Sequence, residues 1–168
     1  MRSYRFEGDV CIITVKTKMH GEHEFLIDKE DYNRIKMFRW TLFKARERIY
    51  CSASIRRSGS ILLHRLITSF EHEIVDHINN DPKDNRKCNL RGATHAQNMR
   101  NGKPQKNNKL GLKGVRWREK QKQFEANIWH NNKSIYIGLF KTKEAAALAY
   151  NEAALKYFGE FAQLNKVA

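Results

Sequence analysis

The feature that most constrains this chain is a break in its patterning. Residues 101–112 (NGKPQKNNKLGL) combine Gly, Pro, Asn and Lys with almost no apolar content. Such a stretch reads as a linker, because it cannot bury enough surface to build an element of its own. A chain of 168 residues divided there must close its hydrophobic surface separately on each side. No apolar run approaches the roughly 20 residues that a membrane span needs. The opening MRSYRFEGDV has no apolar signal segment either.

Before the break, residues 10–16 (VCIITVK) and 23–27 (HEFLI) read as short strands, with His20-Gly21 turning the chain between them. Asp28 is placed to N-cap a helix over KEDYNRIKMF, with Asp31 at its third position and Tyr32, Ile35 and Met37-Phe38 on its apolar face. Residues 48–55 and 60–64 read as another strand pair, turned at Ser58-Gly59. The first 59 residues are thus expected to form a small β-rich unit that extends a binding footprint or buttresses the central segment. Cys11, Cys51 and Cys88 are too few and too scattered for a disulfide framework or a Cys-rich zinc site.

After the break, GVRWRE, FEANIWH and KSIYIGLF alternate as strands do, with Gln121 and Asn131-Asn132 at the connections. A helix comes next, TKEAAALAYNEAALKYFG, with Thr142 as N-cap, Glu144 at its positive end and Gly159 at its stop. Ala146, Tyr150, Ala153 and Tyr157 share one face of it. The expectation is a three-stranded antiparallel sheet with one helix packed across it, so the fold class of the whole is α+β. The net charge is +14, and residues 101–168 alone hold 13 basic against 5 acidic side chains. Nine basic residues against one acid fall from Arg100 to Lys122, a pattern suited to contacting phosphates.

The segment LLHRLITSFEHEIVDHINNDPKDNRKCNLRGATHAQNMRN carries the chemistry. A short apolar strand ends at Asp76-His77, a polar loop comes after it, Asn89-Leu90-Arg91 reads as the returning strand, and Thr94 can N-cap a helix bearing Asn98. An Asp-His pair alone is ordinarily a surface turn, and Asn-rich stretches are ordinarily loops and caps. Together, however, a carboxylate and an amide oxygen are hard ligands suited to Mg²⁺ or Mn²⁺, and an imidazole beside them can deprotonate water. Those are the parts that phosphodiester hydrolysis requires. His72 and His95 read as ordinary helix or loop residues.

LHRLI, VDHINND, DNRKCNLR and THAQNMRN resemble the HNH, or ββα-metal, nuclease family, in the subclass of phage-borne homing endonucleases. The resemblance implies His77 as general base, Asp76 and Asn98 as ligands of one divalent metal, and Asn89 as the residue that holds the loop and orients His77. It also gives His64 a supporting part. The Cys pairs that bind structural zinc in some of these proteins are missing, so no structural zinc is expected.

KGVRW, IYIGLFKTKEAAALAY and the closing LN of AQLN resemble the Apetala-two, or ethylene-response-factor, DNA-binding domain. That resemblance implies a sheet laid in the major groove of double-stranded DNA, with Arg116, Trp117, Arg118, Trp129, Lys133 and Tyr136 as candidate contacts. Trp129 stands where plant members carry Arg, and Asn127 where they carry Glu. Core packing against the helix is the competing reading of Trp129 and Tyr136. The organisation expected is a β-rich unit over 1–59, an HNH finger over 60–101, a basic flexible linker over 102–112 and the DNA-binding domain over 113–168. The protein expected is a monomeric endonuclease without a membrane partner, in the cytoplasm of a bacterial or phage-infected cell. The alternatives are a non-catalytic DNA-binding regulator with a structural finger and, behind it, an RNA-binding protein.

Overall fold

The computed structural model describes residues 2–55, 59–69, 71–104 and 108–167. Its fold is mixed α+β, built of small antiparallel sheets and few helices, and the chain divides into two units, Met1–Thr94 and His95–Ala168.

In the first unit, alternation sends Cys11, Ile13 and Val15 of β2 (Val10–Thr17) inward, opposite Ile27, Phe25 and His23 of β3 (Gly21–Asp28). β1 (Arg2–Glu7) pairs with the other edge of β2. It is a mostly exposed edge strand whose two aromatic side chains, Tyr4 and Phe6, both pack in edge-on geometry with the Tyr32 ring. A second sheet orders β4 (Trp40–Ala45), β5 (Arg48–Ile55) and β6 (Gly59–Leu62). The two sheets share one core in which Phe25, Ile27, Ile35, Trp40, Ala53 and Leu63 are buried. Full burial of such large apolar side chains is worth roughly 1.5–3 kcal/mol each. The core reaches Leu90, and β5–β6 pairing crosses the expected division at residue 59.

Two expected elements differ. The helix after Asp28 shrinks to a 3₁₀ turn, Lys29–Asp31, and one α-turn, α1 (Tyr32–Ile35). The Ile35 carbonyl is taken by the Phe38 amide and the Trp40 indole (3.1 and 2.9 Å), which ends the helix and leaves Met37 outside. Asp28 makes no cap; its carboxylate accepts the Lys87 amide at 2.8 Å. The strand expected over 60–64 ends at Leu62, and LHRLI forms α2 (Leu63–Ile67), burying Leu63, His64, Leu66 and Ile67. At the turn expected there, Gly59 adopts φ +86°, while Ser58 lies outside the described residues. A hairpin, β7 (Ile74–His77) with β8 (Leu90–Ala93), completes the unit.

The second unit opens with α3 (His95–Asn101). Its sheet has the order β11-β10-β9, from β9 (Val115–Arg118), β10 (Gln123–His130) and β11 (Lys133–Phe140). Asn131 and Asn132 both take positive φ, as a tight hairpin turn between right-twisted strands requires. α4 (Lys143–Phe158) packs on one face of the sheet, and Thr142 Oγ1 caps it by accepting the Ala145 amide at 3.1 Å. The helix buries Ala146, Ala147, Tyr150, Ala154 and Phe158, so the stripe is rotated from the expected one and Ala153 and Tyr157 flank it. The small Ala residues permit close approach. At Gly114 (φ +71°) a Cβ would fall 2.1 Å from the Tyr150 ring, so only glycine fits.

Part of the expected linker is folded. Leu110 and Leu112 pack against Val115, Ala126, Ala146 and Ala147, and the Asn108 amide donates to the Leu112 carbonyl at 2.6 Å. Leucines spaced two apart in a polar run are enough to anchor it. Residues 105–107 lie outside the described residues.

Candidate functional site

Asp76 and His77 close β7, where Asp76 pairs with Arg91 and His77 with Leu90 across the hairpin. Both side chains are buried, at 5% and 7% exposure. Oδ2 of Asp76 accepts hydrogen bonds from Nε and Nη2 of Arg91, at 3.1 and 2.9 Å. A buried carboxylate without such a partner would be costly.

His77 lies in a small aromatic cluster. Its ring centroid is 4.9 Å from that of His64 and 6.5 Å from that of Tyr50. Its Nε2 meets Asn85 Oδ1 at 3.3 Å. The Asn85 amide nitrogen donates to the carbonyls of Pro82 and Lys83 (3.2 and 3.1 Å), which fixes its oxygen toward the ring. Nε2 therefore carries the proton, and Nδ1 is the basic nitrogen. Burial lowers the His77 pKa, against the opposing effects of Asn85 and Asp76, so the ring is neutral near pH 7. His64 is pushed down to about 3, by burial first and by the neighbouring His77 second. It packs against His77 as a neutral ring.

The loop between the strands is a network of short polar side chains. Asn89 Oδ1 accepts the Asn79 amide at 3.0 Å, and Asn89 Nδ2 donates to Asn79 Oδ1 and to the Asp84 carbonyl at 3.0 and 2.8 Å. Asp84 takes a two-pronged grip from Arg86, at 2.7 Å on each oxygen, which holds its carboxyl below the usual range. The loop is also tied to the edge of β3. Leu26 N donates to Lys83 O, and Asn85 N donates to Leu26 O, both at 2.8 Å. The N-terminal sheet thereby buttresses the loop. Asn85, the residue that meets His77 Nε2, is not distinguished by the sequence pattern. Its one available signal is the density of Asn and Asp between the two strands.

Asn98, the remaining expected ligand, is exposed on α3 and belongs to the second unit. Among the described residues no three His, Cys, Asp or Glu side chains converge as a closed metal site requires. A Mg²⁺-type ion does not need them: it is usually held by one or two carboxylates, with waters and phosphate oxygens completing its shell. The chemistry of the Asp76 carboxylate fits that pattern.

In the second unit the sheet face away from α4 is open. Arg116 and Arg118 on β9 and Glu125, Asn127 and Trp129 on β10 share it, and Tyr136 joins them opposite Asn127. Trp129 and Tyr136 are 64% and 61% exposed, so neither packs in the core. Glu125 is buried between Arg116 and Arg118, which both donate to its carboxylate. Burial alone would raise its pKa; the hydrogen bonds from Arg118 and Arg116 outweigh that and hold it low. Trp117 falls on the helix side by alternation, its ring centroid 4.8 Å from that of Phe124 and its indole N–H donated to Glu119 at 2.6 Å. Lys133 is exposed where β11 begins.

Comparison with known proteins finds two family matches along the chain. Residues 62–100 match the HNH endonuclease family and residues 110–160 match the AP2 domain. An uncharacterized HNH endonuclease of Acanthamoeba polyphaga mimivirus is 34% identical over 116 residues, covering 65% of this chain and 59% of the viral one. APETALA2-like protein 2 of Oryza sativa is 40% identical over 53 residues, 32% of this chain and 12% of the plant one. An AP2-like ethylene-responsive transcription factor of Arabidopsis thaliana is 40% identical over 55 residues, 33% and 11% of the two chains. This chain therefore spans about three fifths of the viral relative and a small part of the plant ones. No solved structure matches it. No helix among the described residues is long and apolar enough to cross a membrane.

Proposed function

We propose that this chain, an HNH endonuclease segment joined to an AP2 domain, is a divalent-metal-dependent DNA endonuclease of the homing or mobile-element type. The observation that carries the reading is the buried, neutral His77 whose Nε2 is engaged by Asn85, beside the buried carboxylate of Asp76. His77 Nδ1 takes a proton from the attacking water, a step worth about 10²–10⁴-fold in rate. Asp76 and Asn98 would hold Mg²⁺ or Mn²⁺, which when bound would supply charge stabilisation at the scissile phosphate and leaving oxygen. Asn89 keeps the loop closed, and His64 limits the tilt of the His77 ring. The AP2 sheet lays its open face in the major groove, where Arg116 and Arg118, oriented by Glu125, meet bases or phosphates and Trp129 and Tyr136 add apolar contact. Lys133 and Trp117 lie at the margins of that contact. A monomer brings one such site, so a nick is the expected product.

The test is a supercoiled plasmid carrying DNA of the source genome, incubated with the full chain in Mg²⁺, in Mn²⁺ and in EDTA. Nicking that needs the metal and disappears in His77→Ala is the expected result. No cleavage by the wild type under any condition, together with tight, salt-sensitive binding, overturns the nuclease reading in favour of a DNA-binding regulator.

A further inference from the structure

The family boundaries and the structural boundary do not coincide. The HNH match runs to residue 100, yet α3, which contains Asn98, belongs to the same unit as the AP2 sheet. The composition of the junction predicts a flexible linker, but the structure has a clamp there.

Lys113, just before β9, sends its ammonium back to the C-terminal end of α3. Nζ donates to the carbonyl of Arg100 and, at 2.7 Å, to that of Gly102. These are carbonyls without partners inside the helix, where a cation also complements the helix dipole. Burial pushes the Lys113 amine down to about 8, the cost of holding a cation there. The backbone of Lys113 is itself fixed. Its N–H donates to Asn165 Oδ1 at 2.6 Å, and its carbonyl accepts Asn165 Nδ2 at 2.9 Å. Asn165 exchanges two further bonds with Asn151 of α4, at 2.7 and 3.0 Å. From the other side Arg100 lies over the Phe158 ring at 4.8 Å, and Asn101 is buried. An apolar residue at 113 would serve packing as well; only a long donor reaches both carbonyls.

We propose that Lys113 is a positioning residue for the nuclease: by locking the end of α3 to the DNA-reading unit, it holds Asn98 at a fixed distance from the sheet face. The inference rests on the function proposed above, in which Asn98 belongs to the catalytic set. Binding of the sheet to its target then fixes Asn98 relative to the bound DNA, so that recognition and one part of the chemistry share one unit.

The experiment uses the full chain as wild type, Lys113→Met and Lys113→Arg, with two readouts. In hydrogen exchange without DNA, Lys113→Met should speed exchange of the amides of residues 97–102 about tenfold, with β9–β11 unchanged. In single-turnover cleavage of the genomic plasmid at saturating protein, the same variant should cut about tenfold more slowly, while its half-saturating concentration stays within about twofold. Lys113→Arg should restore both, because it keeps the donors. Unchanged exchange at α3, or a loss of affinity as large as the loss of rate, overturns the proposal. A wild type that does not cut refutes the nuclease reading and not the clamp, which the exchange measurement decides alone.

Discussion

The β7–β8 hairpin and the open face of the β9–β11 sheet both display polar side chains, but they use them in opposite ways. In the hairpin and its loop, Asp76, His77, Asn85 and Asn89 are all less than 10% exposed, and their hydrogen bonds include ones to one another, to Arg91, to Asn79 and to the loop backbone. On the sheet, Trp129 and Tyr136 stand more than half exposed, and Arg116 and Arg118 lean on one buried carboxylate with their outer surfaces in solvent. Moving a proton needs a ring whose tautomer and surroundings are fixed before substrate arrives, whereas contacting a long polyanion needs donors that water can leave. The proposed function assigns these two demands to separate units.

That contrast can be broken most directly at Asn85. Asn85→Ala removes the acceptor for His77 and strands two carbonyls, so unfolding in urea should show a loss of roughly 1–3 kcal/mol. Cleavage should fall with it, while DNA affinity holds. A variant as stable and active as wild type contradicts the place given to Asn85.

A smaller effect distinguishes the units by pH. The folded pKa of His64 is about 3, against an unfolded value near 6.5. Between those values the unfolded chain binds a proton that the folded chain does not. Stability therefore rises with pH in this window, is lost as pH falls below about 6.5, and levels off above it. The slope assigned to His64 is about 1.4 kcal/mol per pH unit. Urea titrations of wild type and His64→Gln at pH 4, 5 and 6 should differ by nearly that slope, and equal slopes contradict it. The expected change lies in the first unit, since His64 and His77 both lie there.

Much of this is legible in the sequence for clear physical reasons. The β9–β11 sheet and α4 are regular, with alternating strands, an Asn-Asn turn, a Thr cap and a Gly stop, and all of these recur in the structure. Asp76 and His77 are visible because they end an apolar strand. β1 is not visible, because on an exposed edge strand the two alternating residues Tyr4 and Phe6 make too short a pattern to read. α2 reads as strand because Leu63, Leu66 and Ile67 form too short a run for their period to show. The truncation of α1 comes from the Trp40 indole, which reaches a carbonyl five residues back. Asn85 and Lys113 are hidden for a similar reason: each acts through an amide or ammonium whose partner only the fold reveals.

The central claim is that chemistry lies with the hairpin and recognition with the sheet. One comparison tests it: His77→Ala beside the double variant Trp129→Ala, Tyr136→Ala, each measured for affinity and for single-turnover cleavage of the same metal-supplied DNA. His77→Ala should lose cleavage by about 10²-fold or more with affinity unchanged to within about twofold. The double variant should bind about tenfold more weakly, about 1.4 kcal/mol, yet cut at nearly the wild-type rate once saturated. A His77→Ala protein that binds as poorly as it cuts, or a double variant that stays slow at saturation, would contradict the account.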